Sequence, residues 1–157
     1  MYTVRKVRFF QLFSLHKVSV ILIKCGRDMA QKYGLQHWNN SYIKNAAVVA
    51  LCALKNKIYL VYDESKRPIA TFQTKKIGDS LRFQKLGTNP DHAGKGVGSF
   101  CMQTIENMAK DLGCCRVCLE VYDKSEHAKA FYEHRGYVVC GKAETLKYTE
   151  LQMEKGL

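Results

Sequence analysis

Between Thr88 and Ser99 the chain reads Thr-Asn-Pro-Asp-His-Ala-Gly-Lys-Gly-Val-Gly-Ser. This segment follows a strand-like run, Ser80–Thr88, and opens a helix-like one, Gly98–Leu112. Gly94, Gly96 and Gly98 leave backbone N–H groups unobstructed, and the start of a helix adds partial positive charge. The main chain here is therefore suited to holding phosphate oxygens, with Lys95 adding a full charge. A purely structural turn is the competing reading. A Walker loop is excluded, because it ends in Gly-Lys-Ser/Thr after four spacer residues and here the lysine lies inside the glycines. A dinucleotide fingerprint is closer, since Gly94-Lys95-Gly96 begins a βαβ unit and Glu120 ends the next strand. Its third glycine would fall at Ser99, however, and the unit comes after three antiparallel strands instead of opening the sheet.

The elements around the turn follow from periodicity. Thr3–Phe9 alternates basic and apolar residues and reads as a strand. From Gln11 to Tyr33, apolar residues at Leu12, Leu15, Val18, Leu22, Cys25, Met29 and Tyr33 share one helix face. The β-branched Val18-Ser19-Val20-Ile21 patch makes strand a rival, and Gly34 is a natural stop. Asn39, Asn40 and Ser41 are suitable N-caps for a second helix over Tyr42–Leu54. Lys57–Asp63, Ile69–Lys76 and Ser80–Thr88 read as strands joined by short links, which favours antiparallel pairing. In the last of these Leu81 and Phe83 share a face but Leu86 falls on the other. Either a β-bulge near Gln84-Lys85 repairs the phase or the strand ends at Gln84. Downstream come a strand at Cys114–Val121, a helix capped by Ser125 and running to Arg135, and strands at Tyr137–Cys140 and Thr145–Met153. Antiparallel strands followed by βαβ units predict an α+β (α/β) protein with a mixed, mostly antiparallel sheet.

A length of 157 residues suits one domain, 1–157, able to bury roughly 70% of its unfolded surface. Two prolines and no low-complexity tract exclude a mostly disordered chain. The net charge of +11 is confined to one half: residues 1–78 hold 14 Lys/Arg against three acids, and residues 79–157 hold 11 of each. Such asymmetry points to an anionic partner, a lysine-rich solvated surface being the alternative. The seven cysteines have no framework spacing, so free thiols in a reducing cytoplasm are expected. Cys115-Arg116-Val117-Cys118 has C-x-x-C spacing, but on a strand the two thiols face opposite ways, and no metal site is expected. Val18–Ile23, flanked by Lys17 and Lys24, is far shorter than a membrane span, and no membrane partner is expected.

Set together, these motifs resemble the GNAT superfamily of N-acetyltransferases, across about residues 57–153. Its pyrophosphate loop reads Gln/Arg-x-x-Gly-x-Gly/Ala after a Val-x-Pro. Here Gly96 and Gly98 fill the glycine positions and Thr88-Asn89-Pro90 stands for Val-x-Pro. Ala93 replaces the Gln/Arg, removing one side-chain contribution. Leu119-Glu120-Val121 and Ser125-x-x-Ala128-x-x-Phe131-Tyr132-x-x-x-Gly136-Tyr137 match the family's L-E-V and N-x-x-A-x-x-F/L-Y-x-x-x-G-F/Y patterns, with Ser125 for the usual Asn. The resemblance implies a sheet of six or seven strands, about four helices and a bulged fourth strand that admits the pantetheine arm. It also implies acetyl-CoA as co-substrate, with contacts at Leu86, Gly87, Thr88, Ala93, Gly94, Lys95, Gly96, Val97, Gly98, Ser99 and Ser125.

The implied reaction moves an acetyl group from a thioester to a primary amine by direct attack in a ternary complex. A lysine-like amine is neutral in roughly one molecule in 2,500 at pH 7, so a base should help. The oxyanion needs donors, and backbone N–H groups beside the bulge are available. By resemblance Tyr132 is the acid that protonates the departing thiolate, a packed core aromatic being the alternative. Glu120, 12 residues earlier, resembles in its spacing the glutamate that serves as base in some protein N-terminal acetyltransferases, and that resemblance makes it the candidate base, the alternative being a solvated or ion-paired strand glutamate. His127 reads as a helix-surface residue, pairing with acceptor or CoA being the alternative. His37 and Trp38 lie where family members shape the acceptor pocket, with plain core as the competing reading. A nucleic-acid- or ribosome-associated module, or a silent acyl-CoA binder, remains the rival function, although no nucleic-acid motif is present. The basic half should border the acceptor, so an acceptor that is anionic, or a protein in an anionic assembly, is expected over a free polyamine. A homodimer is open.

Overall fold

The computed structural model describes residues 1–38 and 46–157. The expected caps at Asn39, Asn40 and Ser41 and the first residues of the second helix lie outside them. Strands β1 (Thr3–Val7), β2 (Lys57–Tyr62), β3 (Pro68–Ile77), β4 (Ser80–Thr88), β5 (Arg116–Tyr122), β6 (Val138–Glu144) and β7 (Thr149–Gly156) form one sheet. Its order is β1-β2-β3-β4-β5-β7-β6. The β4–β5 pair is parallel and the others are antiparallel, as a mixed sheet requires. Helices α1 (Leu12–Tyr33) and α2 (Ala46–Lys55) cover one face, and α3 (Val97–Asp111) and α4 (Glu126–Glu133) the other.

In α1 the helix periodicity overrides the β-branched patch, because Leu15, Val18, Ile21, Leu22 and Cys25 all bury on one stripe against Ile58 and Leu60. Gly34, left-handed at φ 67°, ends it by donating its N–H to Ala30 O. On the other face Cys101, Met102, Ile105 and Ala109 of α3 pack onto Phe72, Phe83, Leu119 and Met153. Several ends differ from expectation: β5 starts at Arg116 instead of Cys114, β6 runs past Cys140 to Glu144, and β7 runs past Met153 to Gly156. β1 stops at Val7, because Gln11 Oε1 accepts from Arg8 N–H and folds the chain into α1. β7 begins at Thr149 instead of Thr145, since the Thr145 hydroxyl donates to Tyr148 O and accepts from Tyr148 N–H, closing the β6–β7 hairpin.

One buried ionic contact ties the layers together. Glu106 of α3 lies 8% exposed, accepts from Lys155 Nζ of β7 at 3.1 Å and faces the Tyr137 hydroxyl at 3.4 Å. Removing the carboxylate strands both donors. Glu106→Ala should therefore lower unfolding stability by about 2–3 kcal/mol in urea titration, the partial exposure of Lys155 keeping the loss below that of a fully buried pair.

Candidate active site

The sheet opens where β4 carries an extra residue. Gln73 of β3 pairs with Gln84, but Thr71, two residues away, pairs with Gly87, three residues away. Lys85 takes up the difference in a left-handed conformation, φ 52°, costly for a residue with a Cβ. This is the bulge foreshadowed by the phase slip at Gln84-Lys85. β4 parts from β5 just ahead of this bulge, their parallel pairing being limited to Ser80–Arg82 against Arg116–Cys118. A cavity of about 240 Å³ fills the gap, bounded by Lys85–Thr88, by Leu119–Tyr122 and by Tyr132. Its floor is fixed by close approach of α1: a Cβ on Gly87 would lie 3.1 Å from Cys25 Sγ and 3.3 Å from Leu22 Cδ2.

A second groove, of about 630 Å³, continues along the glycine turn and shares Leu86, Thr88, Ala128 and Tyr132 with the first. Gly94 and Gly96 are left-handed at φ 72° and 75°. The first helical bond of α3 runs from Phe100 N–H to Gly96 O, and Gly96 has no side chain to cap the helix. The N–H groups of Val97, Gly98 and Ser99 thus have no intrahelical acceptor and border an open groove. Outside the groove wall the turn is braced by Tyr2 Oη donating to Lys95 O at 2.8 Å and by a Lys24–Asp91 ion pair at 3.2 Å. Lys95 Nζ itself reaches back to Asp91 O.

Of the residues singled out in the sequence all but Lys95, which lines neither space, converge here. Leu86, Thr88, Ala93, Gly94, Gly96, Val97, Gly98 and Ser99 line the groove, and Gly87 and Ser125 line the adjoining cavity. Tyr132 lies at the junction, its ring 5.9 Å from that of Phe83 and 6.1 Å from that of Tyr137. Burial pushes its phenol pKa well above the usual value, so it keeps its proton at neutral pH. Glu120 is on the cavity wall, ion-paired with Arg82 and accepting from Gln152 Nε2 at 3.4 Å. One expectation fails in detail: Ser125 precedes α4 but makes no side-chain cap. Its ψ of 66° is far from the extended backbone that turns an N-cap hydroxyl onto the helix. Instead Ser125 Oγ is buried at the cavity with no hydrogen-bond partner among the described residues. That orphaned hydroxyl, the exposed N–H row and the side-chain-free turn fit the polar arm and pyrophosphate of acetyl-CoA.

One cavity group, Glu150, carries a perturbed carboxyl that no sequence signal marked. Glu150 of β7 lies opposite Tyr122 in register and lines the cavity. Burial first, then the charge of Glu120, raises its carboxyl pKa. Burial lowers the Lys85 pKa, Glu150 opposing, and its Nζ sits 5.8 Å from the Trp38 ring centre. His37 packs 4.5 Å from Tyr122, and burial lowers its pKa to about 4, leaving it neutral. His127 is exposed, as expected of a helix-surface residue, and stacks on Tyr33 at 4.0 Å. Asp28, Glu120 and Glu150 thus line the cavity alongside Lys85, and the basic excess of the first half is not gathered there. That excess therefore gives no reading of the acceptor's charge. Among the described residues no cluster of His, Cys, Asp and Glu is arranged to hold a metal ion.

Because Ser125 Oγ has no bond to lose, Ser125→Ala should raise the stability of the ligand-free protein by about 0.5–1 kcal/mol. A helix-capping serine would instead lose about 1 kcal/mol, and thermal unfolding distinguishes the two signs.

The fold is shared with known enzymes. The PaiA N-acetyltransferase of Thermoplasma acidophilum, solved with coenzyme A, superposes with a TM-score of 0.80 at 15% identity, covering 100% of this chain and 99% of that one. The ribosomal-protein-S18-alanine N-acetyltransferase of Escherichia coli superposes with a TM-score of 0.75 at 15% identity, covering 99% and 94%. At such identities the likeness is one of fold. The Acetyltransferase (GNAT) family model matches residues 25–137, from within α1 to the residue before β6. That span is well over half of the sequence, and the chain belongs to the GNAT acetyltransferase family.

Proposed function

We propose that this protein transfers an acetyl group from acetyl-CoA to a primary amine, the two substrates meeting in the β4–β5 opening. The observation that carries this reading is the continuity of that opening with the glycine-turn groove, with Tyr132 at their junction. The N–H groups of Val97, Gly98 and Ser99 hold the pyrophosphate, and Ser125 Oγ bonds to the pantetheine arm. Acetyl-CoA supplies the activated acetyl thioester. Backbone N–H groups beside the Lys85 bulge steady the acetyl oxygen.

The acceptor approaches from the face carrying Glu120, Glu150 and Tyr122. Glu120 takes the ammonium proton, directly or through water, with Arg82 fixing its position. The neutral nitrogen forms the new C–N bond as the C–S bond breaks. Tyr132 gives its phenolic proton to the departing sulfur, which its raised pKa keeps available. The proton lost by the amine restores the phenol through water.

Millimolar acetyl-CoA should raise Tm, and Gly96→Val, which forces a branched residue into a left-handed turn, should abolish that shift while leaving the fold intact by circular dichroism. An unchanged Tm for the parent protein would sink the reading. In a transfer assay over a panel of amines, Tyr132→Phe and Glu120→Gln should each lower kcat by about 100-fold or more with little change in the KM for acetyl-CoA. Full activity of Tyr132→Phe would return that residue to a packing role.

A further inference from the structure

The molecule's excess charge is gathered at a place remote from the glycine turn. A cleft of about 580 Å³ runs between the end of β1, the end of α2 and the end of β3. Six exposed cations line it: Lys6, Arg8, Lys55, Lys57, Lys75 and Lys76. No acid lines it, and none of the six forms an ion pair among the described residues. Beside the cations the turn from β1 into α1 exposes large apolar side chains. Phe9 is 56% exposed, Phe10 59%, Leu12 67% and Phe13 89%, and Leu54 of α2 adds another at 65%. Single exposed apolar residues are ordinary, but four within five positions form a patch.

We propose that this end of the protein docks on an anionic lipid bilayer. Phe9, Phe10, Leu12 and Phe13 enter the boundary between headgroups and acyl chains, and the cations engage lipid phosphates. Charge decides the sign of the partner, and side-chain type decides its class. Single-stranded nucleic acid would also match the cations, and bases stack on phenylalanine, but Leu12 and Leu54 offer no stacking face. A second copy of the chain would bring six cations against six. The sequence expectation of no membrane partner rested on the lack of a spanning segment, and none of the described helices is long and apolar enough to cross a bilayer. Surface docking needs none. Lys76 pairs with Leu81 in register, and Thr88 lies seven residues further along β4, about 23 Å away. The glycine-turn groove would therefore stay clear of the lipid.

The test is co-sedimentation of the full chain with phosphatidylcholine vesicles containing about 30% phosphatidylglycerol, against pure phosphatidylcholine. Anionic vesicles should bind the protein at least about tenfold better, and about 0.5 M NaCl should weaken binding. Phe9→Ser/Phe13→Ser and Lys75→Glu/Lys76→Glu should each lose it while keeping the acetyl-CoA Tm shift, or failing that a parent-like circular dichroism spectrum. Equal or absent binding to the two vesicle types would overturn the proposal. So would parent-like sedimentation of folded variants, or a single-stranded RNA oligonucleotide binding where vesicles do not. A dimer in gel filtration that Phe9→Ser/Phe13→Ser splits would assign the patch to self-association and overturn it as well.

Discussion

The site exists because β4 spans with three residues a stretch that β3 spans with two. The extra residue, Lys85, sits in a conformation that a side chain disfavours. Without it β4 could stay hydrogen-bonded to β5 to the end, and the space bounded by Glu120, Tyr132 and Gly87 would close. The glycine turn, Tyr132 and the packing of α1 on Gly87 all take their places relative to that divergence. A strained residue at the centre of a reaction site is the usual place for a sequence to depart from local preference.

The electrostatics of the opening follow from enclosure. Lys85 and His37 are pushed toward neutrality by burial, while Glu150 is pushed toward its protonated form. Glu120 instead contacts Arg82 and Gln152. Two carboxylates on neighbouring strands thus sit in unlike surroundings, one held by a guanidinium and one with none of its oxygens in a hydrogen bond among the described residues. On the opposite side the phenol of Tyr132 is kept neutral by the same exclusion of water. Two carboxylates and a phenol therefore flank the opening from two faces of the sheet.

Much of this was legible in sequence because it is encoded locally. Periodicity of two fails at Gln84-Lys85, and that failure is the bulge. Glycines at 94, 96 and 98 between strand and helix are the turn. The Ser125–Tyr137 pattern puts Tyr132 on the helix face that meets Phe83. Glu150 was not legible, because its place depends on β7 inserting between β5 and β6 and on a register set by the Thr145 hairpin. Nothing within a few residues of Glu150 encodes either fact. The capping role expected of Ser125 fails for a similar reason: residue type marks the helix start, but the backbone angle is set by tertiary packing at the cavity. The charge asymmetry was visible at once, yet its location was not, since β1, α2 and β3 bring their cations together only through the sheet.

The short pairing between β4 and β5 has a mechanical consequence. Three residue pairs join one half-sheet, β1 to β4, to the other, β5 to β7. At the joined end Asp79 accepts from Cys115 Sγ at 2.9 Å and from Arg116 at 3.1 Å, and Asp79 O accepts from Cys115 N–H. The sheet is thus a clothes-peg: a spring clamped at Asp79, jaws at Thr88 and Tyr122. A small rotation about the clamp becomes a larger change of gape at the open end, where the proposed substrates would meet. Forces on the jaws, such as the seating of a long thin ligand between them, would be felt as torque at a surface cluster of three polar side chains far from any reacting atom.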